Sequence, residues 1–321
     1  MRALSRVLTG LCCAAACIVA QAQSVLPVLD PVFQVTSTSA VVYGQGQVGL
    51  PAPGQKALLL DLYRPVGANA GGARSPAVVI IHGGGFQGGT RTQAELVTIA
   101  RAMAARGFVA VSIDYRLVPD QPVPSPRVNS LVGPATVGTT GGTLAQRIAA
   151  VAAVDDGLTA VDWLRTNADS LSLDPQRIGL LGGSAGAITA IHMAYLLDDY
   201  GIQAAPFNFV VDLWGASLIP ANDPVAAANH LEAAESPLFV IHGTNDPTVP
   251  FTASELLVAR AVNQLVPHEF YPVVGAGHGF GAINIFTLEA SPGVTLFQRM
   301  MTWTVQTALV GDRLFRDGFD G

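Results

Sequence analysis

The chain has 321 residues, of which 50% are hydrophobic and only 12% charged, and its formal net charge is −6. That much apolar material suffices for one large domain with a sizeable core. The negative balance, with no basic cluster, argues against a nucleic-acid partner.

The N-terminus reads as an export signal. Arg2 and Arg6 make a positive start, and Val7 to Ala20 is an apolar run too short to span a bilayer. Ala20-Gln21-Ala22 is a small-residue cleavage site. The expectation is a signal peptide over 1–22, a mature chain from Gln23, no membrane span, and a secreted or periplasmic location. Cys12, Cys13 and Cys17 all fall in that segment. The mature chain is therefore expected to have no disulfide and no cysteine metal site.

Phe33 to Tyr43 is rich in Val and Thr, and Ala57 to Tyr63 alternates around Leu58, Leu60 and Leu62. The two predict an antiparallel hairpin turning through Gly49 to Gln55. Ala77 to Ile81 is a continuous apolar run, as in a strand buried on both faces, and leads into His82-Gly83-Gly84-Gly85-Phe86. Thr92 and Glu95 have capping-box spacing ahead of a helix with Leu96, Ile99, Ala100 and Met103 on one face, and Gly107 stops it. Phe108 to Ile113 is the next strand. It ends in Asp114-Tyr115-Arg116-Leu117, where Asp114 and Arg116 read as a structural network.

Val118 to Gly142 is Pro/Gly/Thr-rich with little periodicity and reads as a long loop. A helix with Val151, Val154, Leu158 and Val161 on one face follows. Arg177 to Gly183 is an apolar strand that runs into Ser184-Ala185-Gly186 and a helix reaching Tyr200. Phe209 to Trp214, Leu238 to His242 and His268 to Val274 read as strands. Thr252 and Glu255 read as the cap of one helix, Val225 to Ala234 as a brief helical run, and Ser291-Pro292 as the start of the last helix. Strands alternating with helices predict an α/β fold, a doubly wound, mostly parallel sheet with helices on both faces. The domain is expected over 23–312, with a flexible tail at 313–321.

The chemistry centres on Gly182-Gly183-Ser184-Ala185-Gly186. A G-x-S-x-G at a strand-to-helix turn leaves the serine hydroxyl exposed above the sheet, which suits a nucleophile. Acyl transfer also needs a base, a group that orients the base, and donors for the oxyanion. On folds with this turn the partners follow in the order Ser, Asp or Glu, His, each after a strand. Asp246 follows the strand ending at His242, and His278 follows the strand ending near Val274, with Gly277 and Gly279 beside it. Asp223 is the competing acid, in a surface segment. Consecutive glycines after the third strand can present bare N–H groups, so Gly83, Gly84 and Ala185 are the expected oxyanion hole. Phe86, Trp214 and Val249 are candidate pocket residues, with core packing as an equal alternative.

HGGG at 82–85 together with G-x-S-A-G at 182–186 resembles the secreted α/β-hydrolase esterases of the hormone-sensitive-lipase-like kind. Asp61-Leu62-Tyr63-Arg64-Pro65 is similar to the small feruloyl- and acetylxylan-esterase-like enzymes. The resemblance runs from about Ala57 to Phe280 and implies a serine carboxylic-ester hydrolase acting through an acyl-enzyme on short-chain, acetyl or small aromatic esters. Ala187 departs from the glycine usual after the serine motif, and the short interval from Trp214 to Leu238 leaves little room for a cap domain. A prolyl-oligopeptidase-like serine peptidase and a non-catalytic hydrolase-like binding protein are the rival readings. The six histidines show no metal-ligand spacing, so neither metal nor other cofactor is expected. His82 and His242 read as braces of their own loops, and His192 and His268 as packing residues.

Overall fold

The computed structural model describes residues 26–49, 53–138, 141–221 and 223–314. The expected signal peptide over 1–22, with its three cysteines, lies outside the described residues. In chain order the elements are β1 (Val35–Val48), β2 (Gly54–Pro65), β3 (Ser75–Ile81), α1 (Ala94–Ala104), β4 (Val109–Ile113), α2 (Asn129–Thr136) and α3 (Leu144–Thr166). There follow α4 (Ala168–Leu171), β5 (Leu173–Gly183), α5 (Ala185–Tyr195), β6 (Val210–Leu213), α6 (Pro224–Ala228) and β7 (Leu238–Gly243). The chain closes with α7 (Phe251–Asn263), β8 (His268–Val273), β9 (Glu289–Ser291), β10 (Val294–Thr295) and α8 (Leu296–Leu314).

Eight strands form one sheet in the order β1-β2-β4-β3-β5-β6-β7-β8. The β1–β2 and β2–β4 pairs are antiparallel, and every pair from β4 to β8 is parallel. The central parallel strands carry mostly apolar runs, such as residues 77–81 on β3 and 238–241 on β7, because both their faces are covered. Val79, Ile81 and Leu180 face a cluster built with α3, α5 and α7, while Val78, Ile80 and Leu181 face one built with α1 and α8. The two-residue alternation of a strand thus sorts one continuous apolar run into two cores. Among the described residues between β6 and β7 the only α-helix is the short α6, with no cap-sized insertion there.

Several local expectations need correction. Thr92 does not cap α1, which starts at Ala94 with no side-chain cap. Residues 90–93 form a turn instead, which lets Arg91 bridge Asp61 and Asp114. Thr252 and Glu255 do not cap α7, which starts at Phe251 behind Pro250. Ser291-Pro292 starts no helix, because Pro292 and Gly293 (φ 76°) turn the β9–β10 hairpin. The box that opens α8 is Thr295–Gln298: Thr295 N–H donates to Gln298 Oε1, and Gln298 N–H to Thr295 Oγ1. That helix runs on to Leu314, into the expected tail, of which 315–321 lie outside the described residues. The helical run expected to reach Ala234 stops at Ala228.

The stretch from 118 to 142 is not a structureless loop. It holds two short 3-10 turns and α2, and buried arginines pin it. Arg116 pairs with Asp155 and Asp156 and donates to the carbonyls of Gln47 and Val123. Arg147 donates to the carbonyls of Ala135, Gly138 and Gly142. A buried guanidinium satisfies carbonyls that an irregular backbone leaves unpaired, and periodicity carries no sign of it.

Candidate active site

Ser184 joins β5 to α5 with φ 54° and ψ −121°, a conformation that costs a non-glycine residue on the order of 1–3 kcal/mol. The turn is held from both sides. Ser184 N–H donates to Leu213 O at 2.9 Å on β6, and Ile188 N–H donates to Ser184 O at 2.9 Å as the first bond of α5. A Cβ on Gly186 would lie 2.1 Å from Ile81 O, and one on Gly182 would lie 2.2 Å from the Gly186 carbonyl carbon. The two outer glycines of the motif are therefore spacing requirements, and they bring helix, turn and strand close enough to lift the serine above the sheet.

His278 and Asp246 reach that serine on loops after β8 and β7. Gly243, at the end of β7, lets the second loop close on the first: its Cβ would lie 2.4 Å from Ala276 O. Asn245 N–H to Ala276 O (3.0 Å) and Gly275 N–H to Thr244 Oγ1 (2.8 Å) then tie the loops together. His278 Nε2 lies 2.8 Å from Ser184 Oγ, and His278 Nδ1 lies 2.6 Å from Asp246 Oδ2. A carboxylate only accepts, so Nδ1 carries the proton and Nε2 is left to accept from the serine hydroxyl. Asp246 Oδ1 accepts the N–H groups of Thr248 (2.8 Å) and Val249 (2.9 Å). Burial pushes the Asp246 carboxyl up, but the bonds from His278, Val249 and Thr248 outweigh it and hold it below the usual aspartate range.

The structure thus brings Ser184, His278 and Asp246 together. Asp223 it does not: that side chain caps α6, accepting from Val225 N–H at 2.9 Å and Ala226 N–H at 3.0 Å. Gly83 packs directly on the nucleophile turn, where its Cβ would stand 3.2 Å from Ser184 Cβ. Gly84 has φ 119°, and a Cβ there would lie 2.2 Å from Gly88 O, so glycine is required. Among the described residues, the amides of Gly83, Gly84, Gly85 and Ala185 donate to no backbone carbonyl, which leaves them free for a ligand oxygen. Three contacts that the sequence did not disclose fix this loop. Tyr115 stacks on His82 at 4.3 Å and donates to its carbonyl, Val118 N–H donates to Phe86 O, and Gln146 Nε2 donates to Gly85 O at 2.9 Å. For Gln146 there was a cue, the Thr143-x-x-Gln146 box that opens α3.

A cleft of about 510 Å³ opens beside Ser184. Phe86, Ile188, Leu218, Val249 and Leu256 give it apolar walls, and its polar lining (Gln146, Ser217, Thr248, Thr252) bears no charge. Phe86 and Val249 stand in its wall. Trp214 does not. It is among the core's buried side chains, beside Gly183 of the nucleophile turn and edge-on to Phe280 at 4.7 Å, the core-packing alternative. His192, in α5, accepts Leu218 N–H at 3.0 Å and so anchors one wall of the cleft, with its pKa pushed down to about 3 by burial. No group of three or more metal-ligating side chains occurs among the described residues, and no described helix is long and apolar enough to cross a membrane.

Below the turn, opposite Gly182 in the ladder, β6 carries Asp212 with no exposed surface. Its Oδ1 accepts Gly215 N–H, its Oδ2 has no partner, and burial raises its pKa from 3.8 to about 7. The native state then holds one more proton than the unfolded chain between those values. Stability from this group is full below pH 3.8 and is lost as pH rises through about 7, at a slope of at most about 1.4 kcal/mol per pH unit. Asp212→Asn keeps the acceptor for Gly215 and removes the ionisation. Its melting temperature minus that of the parent should therefore rise between pH 4 and pH 8. A pH-independent difference in thermal scans would mean that the native carboxyl is already ionised.

Comparisons with known proteins agree with this architecture. Residues 60–128 match the BD-FAE family model, residues 143–221 a family described as alpha/beta hydrolase fold, and residues 193–306 the prolyl oligopeptidase family. Carboxylesterase NlhH of Mycobacterium tuberculosis is 34% identical over 126 residues, covering 39% of this chain and 31% of that protein. Esterase LipQ of the same species is 27% identical over 259 residues, covering 69% and 52%. The chain thus spans about half or less of the length of these relatives. Thermogutta terrifontis esterase 2, phosphorylated by paraoxon, superposes with a TM-score of 0.60 at 24% identity, covering 86% of this chain and 94% of that one. The butyrate-bound structure of that esterase gives 0.55 at 23% identity, over 90% and 95%. The fold is that of the α/β-hydrolases.

Proposed function

We propose that this α/β-hydrolase is a serine carboxylesterase for short, uncharged acyl esters, exported with residues 1–22 removed. The observation that carries the reading is the continuous chain Ser184 Oγ, His278, Asp246 at 2.8 and 2.6 Å, set beside an uncharged cleft and unbonded amides. Ser184 Oγ attacks the ester carbonyl as His278 Nε2 takes its proton. Asp246 fixes the tautomer and stabilises the imidazolium while itself staying ionised. The amides of Gly83, Gly84 and Ala185 hold the oxyanion of the tetrahedral intermediate. His278 then protonates the departing alcohol, and a water activated by the same nitrogen releases the acid.

The cleft favours small acyl groups. No cap-sized insertion follows β6 among the described residues, and roughly 510 Å³ must take both the acyl and the alcohol part of an ester. Beyond a few carbons, an added methylene stays in water and gains little of the roughly 0.8 kcal/mol that full burial provides. The propionate- and butyrate-bound forms of the Thermogutta esterase are in keeping with such a pocket.

Two measurements test the reading. A fluorophosphonate should label the protein at Ser184, and the intact mass of the adduct, from a secreting host, should correspond to a chain starting at Gln23. On p-nitrophenyl esters, kcat/KM should peak between C2 and C4, with no interfacial activation. A steady climb from C4 to C12 would mean a deep apolar tunnel instead. The match of residues 193–306 to the prolyl oligopeptidase family favours peptide-bond cleavage as the second reading. Preference for an aminoacyl-p-nitroanilide would select it, and failure to label would select a non-catalytic binding protein.

A further inference from the structure

We infer that His242 is a positioning residue for the reaction, holding the same Asp246 oxygen that His278 holds; this rests on the reading of Ser184, His278 and Asp246 as the catalytic triad. His242 is the penultimate residue of β7, and its side chain has no exposed surface. Its Nε2 lies 3.1 Å from Asp246 Oδ2 and 3.0 Å from Val249 O, and its Nδ1 lies 2.7 Å from Ser254 Oγ on α7.

The partners decide the proton. A carboxylate and a carbonyl can only accept, so Nε2 must carry the hydrogen and share it between them. Burial disfavours the charged ring, and although Val249 O and Asp246 work the other way, its pKa stays below the usual histidine value. The ring is therefore neutral, Nδ1 is an acceptor, and the Ser254 hydroxyl donates to it. The titratable groups that face His242 are Asp246 on the loop it leads into and His278 on the loop after β8. From α7 it meets Ser254 and the edge of Phe251 at 5.8 Å, and across the ladder β8 offers Pro272.

The consequence is geometric and electrostatic. Asp246 has four donors for its four lone-pair sites: Thr248 and Val249 on Oδ1, His278 and His242 on Oδ2. Without His242, Oδ2 has His278 alone to fix its position. The carboxylate charge then also falls less divided on the His278 imidazolium that forms in the reaction. His242 thus acts through Asp246 on the base, and touches no substrate.

His242→Leu removes the donor, and His242→Gln restores one at the same reach. For the leucine variant kcat should fall roughly 10- to 100-fold with KM little changed, the loss typical when an outer partner of a site ligand is removed. The acid limb of its kcat/KM profile should move to higher pH. The glutamine variant should recover most of the activity and the parent's acid limb. A folded leucine variant within about threefold of the parent overturns the inference. So does an equal loss in both variants with the acid limb unmoved, since that is bracing alone. Ring-nitrogen NMR of the ¹⁵N-histidine-labelled parent decides independently of variant folding: His242 should be neutral with Nε2 protonated at neutral pH and above, and a charged ring or the Nδ1–H tautomer there overturns the assignment. If the parent itself is not labelled by a fluorophosphonate, it is the esterase reading that fails.

Discussion

Replacing Ser184 with alanine is expected to lower kcat by about 10⁴- to 10⁶-fold and to abolish fluorophosphonate labelling, with the fold intact. The size of the loss follows from position. The hydroxyl sits at the one point where a base with a bound orienting acid, free amide donors and the cleft meet, and the 2.8 Å bond to His278 Nε2 is the path of its proton. What remains in the variant is binding and the oxyanion donors, which alone still accelerate hydrolysis. Stability should change little. Alanine retains the Cβ, the bonds that hold the turn run through the backbone, and the strain of φ 54° is the same for both residues. Steady-state turnover of p-nitrophenyl acetate with a parallel thermal scan checks both halves. Turnover near the parent's would mean that another group is the nucleophile.

The parts of the site legible in the sequence are those whose cause is local. Gly182 and Gly186 are required because helix and strand approach within a Cβ radius, and such a requirement leaves a motif. The apolar runs of β3, β5 and β7 are legible because a strand buried on both faces has no polar positions to break the run. Between pocket and core for Trp214 the sequence leaves the choice open, because a tryptophan after a strand suits either, and its burial beside Gly183 and against Phe280 is a long-range contact that no local pattern marks. Gln146, Tyr115 and His192 act across long sequence separations, on Gly85, His82 and Leu218, and beyond the cap box at Gln146 nothing in their own neighbourhoods marks those contacts. The same holds for α2, whose Ala135 carbonyl accepts from Arg147 of the next helix. The cap boxes failed where another demand on the residue was stronger, as at Thr92, next to the arginine that bridges Asp61 and Asp114.

Asp246→Asn is expected to cost about 10⁴-fold in kcat, and Asp223→Asn next to nothing, although both keep the side chain's size. Asp246 is ringed by donors on both oxygens. An asparagine has one acceptor oxygen, so either orientation sets its NH₂ against N–H groups. With the NH₂ toward Thr248 and Val249, the loop that carries the acid is disturbed. With the NH₂ toward His278, the imidazole must offer an unprotonated Nδ1, and the proton moves to Nε2, where it faces Ser184 and blocks proton abstraction. The carboxylate also contributes stability through its depressed pKa, present above about pH 4 and lost as the pH falls through the native value. The asparagine variant should accordingly melt lower than the parent at pH 7, with the gap narrowing in acid. Asp223 meets no such ring. It caps α6 through Oδ1 alone, a task asparagine performs about as well. Kinetics of the two variants on one short ester, with thermal scans at pH 7 and pH 3, separate the positions. Severe loss at 223 with near-normal rates at 246 would move the acid to the loop before α6 and leave the short bond between His278 and Asp246 without a catalytic role.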